Sequence, residues 1–146
     1  MKVCLITASA GIGGLENHVI TLANGLLGHL DVTLIADESY RDKLDDKVEF
    51  IPFDFSGSRL NPFTSRRLKA IVKEVQPSVI HVHANKAVKI CSSFKKKLGI
   101  PMIASLHNKK RSLSMFKEMD CVVGVSNGVL ENVKHDNKRA VYNGVE

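Results

Sequence analysis

The chain has 146 residues, 44% of them hydrophobic and 25% charged, with a formal net charge of +6. That length suits one domain burying roughly two thirds of its unfolded surface, with a composition ordinary for a soluble globular protein. Aromatic residues make up 5% and Trp is absent, so base stacking has little to work with and nucleic acid is not an expected partner. The positive balance points instead to a nucleotide, a phosphosugar or an acidic membrane surface.

In chain order, Val3-Cys4-Leu5-Ile6 reads as a buried strand. A Gly-rich loop follows, Ser9-Ala10-Gly11-Ile12-Gly13-Gly14-Leu15-Glu16, and then a helix with Leu15, Val19, Leu22, Ala23 and Leu26 on its inner face. Gly28 ends that helix, and Asp31 to Ala36 gives a second strand. Asp37 to Asp46 is charged, a short helix or loop. Val48 to Phe53 is a third strand near an edge, where Pro52 is tolerated. Asn61-Pro62 pairs an N-cap with a first-turn proline. The helix they start buries Leu68, Ile71, Val72 and Val75, exposes Arg66, Arg67, Lys69 and Lys73, and ends at Pro77.

Val79-Ile80-His81-Val82-His83 is the fourth strand. Lys86 to Leu98 reads as one continuous basic amphipathic helix with Ala87, Ile90, Cys91, Phe94 and Leu98 inward, capped by Gly99. Pro101 to Leu106 is strand five, His107 to Arg111 a basic loop, and Leu113 to Met119 a short helix. Cys121 to Val125 is strand six, Ser126 or Asn127 caps a helix through Val133, and Arg139 to Tyr142 is strand seven.

Strands alternating with helices predict an α/β fold: a Rossmann-like open, mostly parallel sheet of about seven strands with helices on both faces. Ligands of such sheets bind beyond the carboxyl ends of the strands. The loops so selected are Ala8–Gly14, Asp37–Tyr40, His83–Lys86, His107–Arg111, Ser126–Asn127 and Asn143–Gly144. The bare glycine backbone at a helix N-terminus suits a phosphate or another anion, or it makes only a tight strand-to-helix turn.

Several sharper readings fail on particular residues. A nucleotide-triphosphate loop needs Lys followed by Ser or Thr at the helix start, where this chain has Gly14, Leu15 and Glu16. The dehydrogenase fingerprint is one residue short, with Ala8 in place of its first Gly and no Tyr followed four residues later by Lys. His81 and His83 share one side of a strand at a spacing that could hold zinc, with His107 nearby, but no Asp, Glu or Cys completes a ligand set. No metal is expected. His81 is expected to be packed and hydrogen-bonded, and His83 to lie where ligands bind. His107 can hydrogen-bond a sugar hydroxyl or steady a developing charge. Cys4, Cys91 and Cys121 sit in apolar patterns without metal-like spacing, as free thiols of a reducing compartment would. No secretory leader or membrane-spanning run is visible, so a cytoplasmic chain is expected.

Taken in order, these pieces resemble the N-terminal domain of GT-B glycosyltransferases, particularly the retaining family 4. The resemblance rests on Gly13-Gly14-Leu15-Glu16-Asn17-His18-Val19, Val79-Ile80-His81-Val82-His83 and Ser105-Leu106-His107-Asn108, then on Val123-Gly124-Val125-Ser126 and Val141-Tyr142-Asn143-Gly144-Val145-Glu146. It implies that Gly13 and Gly14 approach the donor diphosphate or the acceptor, and that His107 is the catalytic residue, contacting the transferred sugar in a front-face retaining reaction. Glu16, His83, Asn108, Ser126 and Asn143 would line the substrate cleft.

The implied partners are a glycan, lipid-linked or small phosphorylated acceptor and a nucleotide-sugar donor as co-substrate, with no further cofactor. The basic faces at Arg66, Arg67, Lys69 and Lys73 and at Lys89, Lys95, Lys96 and Lys97 suit a peripheral position on an anionic inner leaflet. The family's donor-binding half would begin where this sequence stops, so residues 1–146 are expected to be a single acceptor-side domain, inactive alone. A non-catalytic binding or membrane-docking module is the alternative, and an NAD(P)-dependent oxidoreductase a more distant one.

Overall fold

The computed structural model describes residues 1–9, 13–57, 61–106, 114–124, 127–131, 133 and 135–141. Seven strands form one sheet: β1 (Lys2–Thr7), β2 (Asp31–Ala36), β3 (Glu49–Pro52), β4 (Val79–His83), β5 (Met102–Leu106), β6 (Cys121–Gly124) and β7 (Lys138–Ala140). Their order is β3-β2-β1-β4-β5-β6-β7, and every pair in it is parallel. β3 is indeed an edge, and Pro52 closes its pairing with β2 opposite Ala36.

Parallel strands buried on both faces read as near-continuous apolar runs, and β1 shows how the two faces divide. Val3 and Leu5 pack with Val32 and Leu34 beneath α1 (Gly14–Leu26), whose Val19 and Ala23 are fully buried there. Cys4 and Ile6 face the opposite core, with Leu68 and Val72 of α2 (Pro62–Val75) and Ala87, Ile90 and Cys91 of α3 (Asn85–Ser92). Leu15, Leu22 and Leu26 join the first core half-buried, as Ile71 does the second. The apolar stripes of the helices are therefore those the sequence predicts.

The Asn61-Pro62 start is also as expected: Asn61 Oδ1 accepts from the Phe63 N–H at 2.9 Å, a cap worth about 1 kcal/mol. The helix ends one residue before Pro77, at Gln76 with φ +54°. Lys69, expected on the exposed face, is half-buried.

One correction concerns the helix expected over 86–98. It is two pieces, α3 and α4 (Lys95–Leu98), separated at Ser93 and Phe94. Ser92 Oγ donates to the Lys89 carbonyl at 2.8 Å and Ser93 Oγ to the Ile90 carbonyl at 2.6 Å. Hydroxyls that bond back into the preceding turn compete with the helix's own ladder, and two in succession end it. Phe94 remains buried in spite of the break.

Other differences are of extent. The segment expected as a helix over 113–119 is a 3-10 turn, Ser114–Glu118, and a second such turn covers Glu38–Lys43. The helix expected to run through Val133 is α5 (Asn127–Leu130). Tyr142, expected in the last strand, lies outside the described residues, as do Ser126 and 143–146. Among the described residues no helix is long and apolar enough to cross a membrane.

Candidate functional site

The strand order fixes where a ligand can sit. The chain leaves β1 to build β2 and β3 on one side, then crosses back to build β4 to β7 on the other. The crevice beyond the carboxyl ends of β1 and β4 is thus the switch point at which open parallel sheets bind ligands. Thr7 of β1 and His83 of β4 are paired there, one position beyond Ile6 and Val82.

Residues paired in a parallel ladder face the same way, so His81 beside Leu5 and His83 beside Thr7 both lie on the face covered by α1. The two imidazoles tilt against each other with centroids 4.1 Å apart. His18 of α1 meets His83 edge-on at 5.9 Å. His81 Nε2 bonds Ser105 Oγ of β5 at 2.5 Å, so His81 is packed and hydrogen-bonded as expected. His83 stands at the end of its strand but is 0% exposed, lying under α1 instead of opening directly to solvent. Burial lowers the pKa of His18 below the ordinary imidazole value and keeps it neutral. Among the described residues no group of three or more His, Cys, Asp or Glu side chains is arranged to hold a metal ion.

The other wall is the Gly-rich loop. Gly13 is the residue before α1, in extended backbone, and no side chain caps the helix; its carbonyl accepts from the Asn17 N–H at 3.1 Å. The first N–H groups of a 13-residue helix are left without a side-chain cap beside the switch point, the geometry that receives an anion. Glu16 shares this first turn, half-buried, with its carboxylate over Gly13. A Cβ on Gly14 would meet nothing within 4 Å, leaving that backbone open to approach.

A chain of hydroxyls holds Ser9, just beyond the end of β1. Tyr40, 1% exposed, has its hydroxyl 3.0 Å from Ser9 Oγ, which lies 3.1 Å from Thr7 Oγ1. Burial raises the pKa of Tyr40, so the phenol stays protonated. The 3-10 turn that carries Tyr40 is capped by Asp37, which accepts from the Ser39 N–H at 2.9 Å.

Of the residues expected in the site, Gly13, Gly14 and Glu16 stand at the N-terminus of α1 and His83 at the end of β4. His107 and Asn108 follow Leu106, the last residue of β5, and they lie outside the described residues together with Ser126 and Asn143. Sequence reasoning placed Ser9 and Tyr40 only within the selected loops and His18 and Ser105 only within the motifs, and it gave no part to Thr7. For His18 a signal existed: it falls on the stripe of Leu15, Val19 and Leu22, where a polar residue is out of place. The hydroxyl chain had none, because Tyr40 is distant from Ser9 in sequence and the two meet only when β1 and β2 pair.

A model of Glycosyltransferase Family 4 matches residues 12–146. The chain belongs to this family. Over 118 residues it is 30% identical to a phosphatidyl-myo-inositol mannosyltransferase of Mycolicibacterium smegmatis, a match covering 72% of this chain and 30% of that protein. Among solved structures, HepE of Anabaena in complex with UDP-glucose superposes with a TM-score of 0.79 at 16% identity, over 100% of this chain and 44% of that one. A glycosyltransferase from Rickettsia africae superposes with a TM-score of 0.78 at 18% identity, over 99% and 43%. At these identities the structures speak for the fold alone, a Rossmann-like half of a GT-B fold. The family 4 chain spans less than half the length of these relatives.

Proposed function

We propose that this chain is the acceptor-binding half of a retaining glycosyltransferase, which moves a hexose from a nucleotide-sugar to a glycan, lipid-linked or small phosphorylated acceptor. The observation that carries the reading is the switch-point crevice, with the uncapped N-terminus of α1 on one side and the end of β4 on the other. In this reading the backbone of Gly13 and Gly14 faces the phosphate groups of the ligand, and Glu16 and His83 form the wall behind it. His107, next in sequence after the last residue of β5, contacts the transferred sugar and steadies the charge that develops on it. Asn108, Ser126 and Asn143 complete the cleft floor. The donor is held mainly by a second domain, so this half alone does not transfer sugar.

The identity to a mannosyltransferase whose name specifies a phosphatidyl-inositol acceptor favours an acceptor carrying phosphate on a lipid. Three free cysteines suit a reducing compartment, and we place the protein in the cytoplasm.

The test joins the chain to a matching donor-side domain and measures transfer from nucleotide-hexoses to lipid-phosphate acceptors. Transfer is expected with both halves present, absent with this half alone, and at least ~100-fold lower in His107→Ala, which removes electrostatic help to the transition state. Absence of transfer with both halves folded and associated overturns the reading.

A further inference from the structure

Tyr40 is carried by the 3-10 turn after β2, and that turn is fastened at both ends. Asp37 caps its start. Asn24 of α1 clamps its far end, donating from Nδ2 to the Lys43 carbonyl at 3.3 Å and accepting from the Asp45 N–H at 2.9 Å. Between these ties the Tyr40 ring is buried in the core that holds Val3, Leu5, Val19, Val32 and Leu34. The ring is a fixed point beside α1.

Phenylalanine would fill that core as well as tyrosine does. A buried phenol gives up its water, and only a hydrogen bond offsets that loss. The partner here is Ser9, whose Oγ lies 3.0 Å from the phenol oxygen. Burial raises the pKa of Tyr40 and the Glu16 carboxylate adds to the rise, so the phenol keeps a hydrogen to donate. Ser9 Oγ is in turn 3.1 Å from Thr7 Oγ1, which also accepts from the Ser9 N–H at 3.4 Å. Thr7 is fully buried and paired with His83. Ser9 is thus tied through its backbone nitrogen and its side chain, to the last residue of β1 and to the turn after β2.

Ser9 stands where the Gly-rich stretch begins. Residues 10–12 alone separate it from Gly13, and Gly13 precedes the first turn of α1, whose N–H groups have no side-chain cap. A connection that short carries a shift at Ser9 forward to Gly13. Backbone donors hold a phosphate best when they are aligned before it arrives, because ordering them on binding costs affinity. The Tyr40–Ser9 bond acts on that alignment.

We propose that the Tyr40 hydroxyl is a positioning group for anion recognition: through Ser9 it fixes the start of the Gly-rich loop, so that the backbone of Gly13 and Gly14 meets a phosphate group already in place. The inference rests on the reading of the crevice as the place where phosphate binds. Tyr40 acts through Ser9 and does not itself touch the ligand.

Tyr40→Phe keeps the ring and removes one oxygen. The whole chain and this variant are titrated with inorganic pyrophosphate while the amide resonances of Gly13 and Gly14 are followed by NMR. The unsubstituted chain is expected to bind, and Tyr40→Phe to bind about fivefold more weakly, the effect of losing one hydrogen bond. Ser9→Ala should show at least the same loss, and adding Tyr40→Phe to it should change little, because the two side chains act through one bond. Asn61→Ala removes the cap of α2 on the other side of the sheet and serves as the control. It should lower the urea midpoint at least as much as Tyr40→Phe and leave pyrophosphate affinity unchanged within twofold. Equal affinity in Tyr40→Phe and the unsubstituted chain overturns the inference and leaves the reading of the crevice standing. A loss in Asn61→Ala as large as in Tyr40→Phe also overturns it, since stability alone would then account for the effect. No response at Gly13 and Gly14 in the unsubstituted chain overturns the phosphate reading of the crevice, and the inference with it.

Discussion

Gly13 and Glu16 occupy adjoining space: a methyl group on Gly13 would lie 2.9 Å from Glu16 Oε2. The glycine is in extended backbone, which any residue adopts, so conformation alone does not require it. What excludes a side chain is the carboxylate folded back over the first turn of α1. A carboxylate is the mobile end of its side chain, so Gly13→Ala is expected to displace Glu16 and to cost less than about 1 kcal/mol of folding stability. In the proposed two-domain enzyme it should lower transfer with the same sign as Glu16→Ala. The double variant should be no worse than Glu16→Ala alone, a coupling that a double-mutant cycle reads.

Gly124, at the end of β6, is a different case. A Cβ there would lie 2.5 Å from Leu130 Cγ and 2.7 Å from Leu130 Cδ2. Leu130 is buried in the larger core, so it cannot move aside without displacing its neighbours. Gly124→Ala should therefore destabilise by about 1–3 kcal/mol, measured by urea unfolding. Gly124→Ala/Leu130→Ala, which opens the space, should lose less than the sum of the two single changes.

Ala84 follows the paired His83 and begins α3 with φ +75° and ψ 138°. A side chain in that conformation stores about 1–3 kcal/mol of strain, which glycine does not feel. Ala84→Gly is expected to raise stability by about 1 kcal/mol, against the usual direction for Ala to Gly near a helix. The strain sits directly behind the crevice, where it holds the turn from β4 into α3. An unchanged or lower denaturation midpoint for Ala84→Gly would remove strain from the account.

Much of this architecture is legible in the sequence because the rules that produce it are local. Val3 to Ile6 is a continuous apolar run and Val32 to Ala36 is interrupted only by Thr33, as suits strands covered on both faces, and Asn61-Pro62 announces a helix within two residues. The break in α3 was illegible because the apolar spacing of Ala87, Ile90, Cys91, Phe94 and Leu98 continues across it. Periodicity reports which residues face the core, and Phe94 does face it; the hydroxyls of Ser92 and Ser93 end the helix without disturbing that pattern. The places of Gly13 and Gly14 at the start of α1 and of His83 at the end of β4 were legible from the predicted elements. The His18–His83 contact and the Tyr40–Ser9–Thr7 chain were not, since each depends on how α1 and the second crossover lie on the sheet. Among the described residues Lys95 and Lys96 have carboxylate partners and Lys97 has none, a difference to which composition is blind.

His18 gives a dependence on pH whose sign follows from its burial. In the folded chain desolvation holds its pKa below the ordinary imidazole value, so the unfolded chain binds the proton first as pH falls. Its contribution to stability is complete above pH about 6.5 and is lost progressively below that, through the lower folded value. Urea midpoints are therefore expected to drop between pH 7.5 and 5.5, a window above that in which Asp37 and Asp120, both held below the ordinary carboxylate value, begin to protonate. His18→Gln keeps a polar side chain against His83 but has nothing to titrate. It should lower stability at pH 7.5 through lost packing and show a smaller drop on acidification than the unsubstituted chain. An identical drop in the two proteins would assign the dependence to another group.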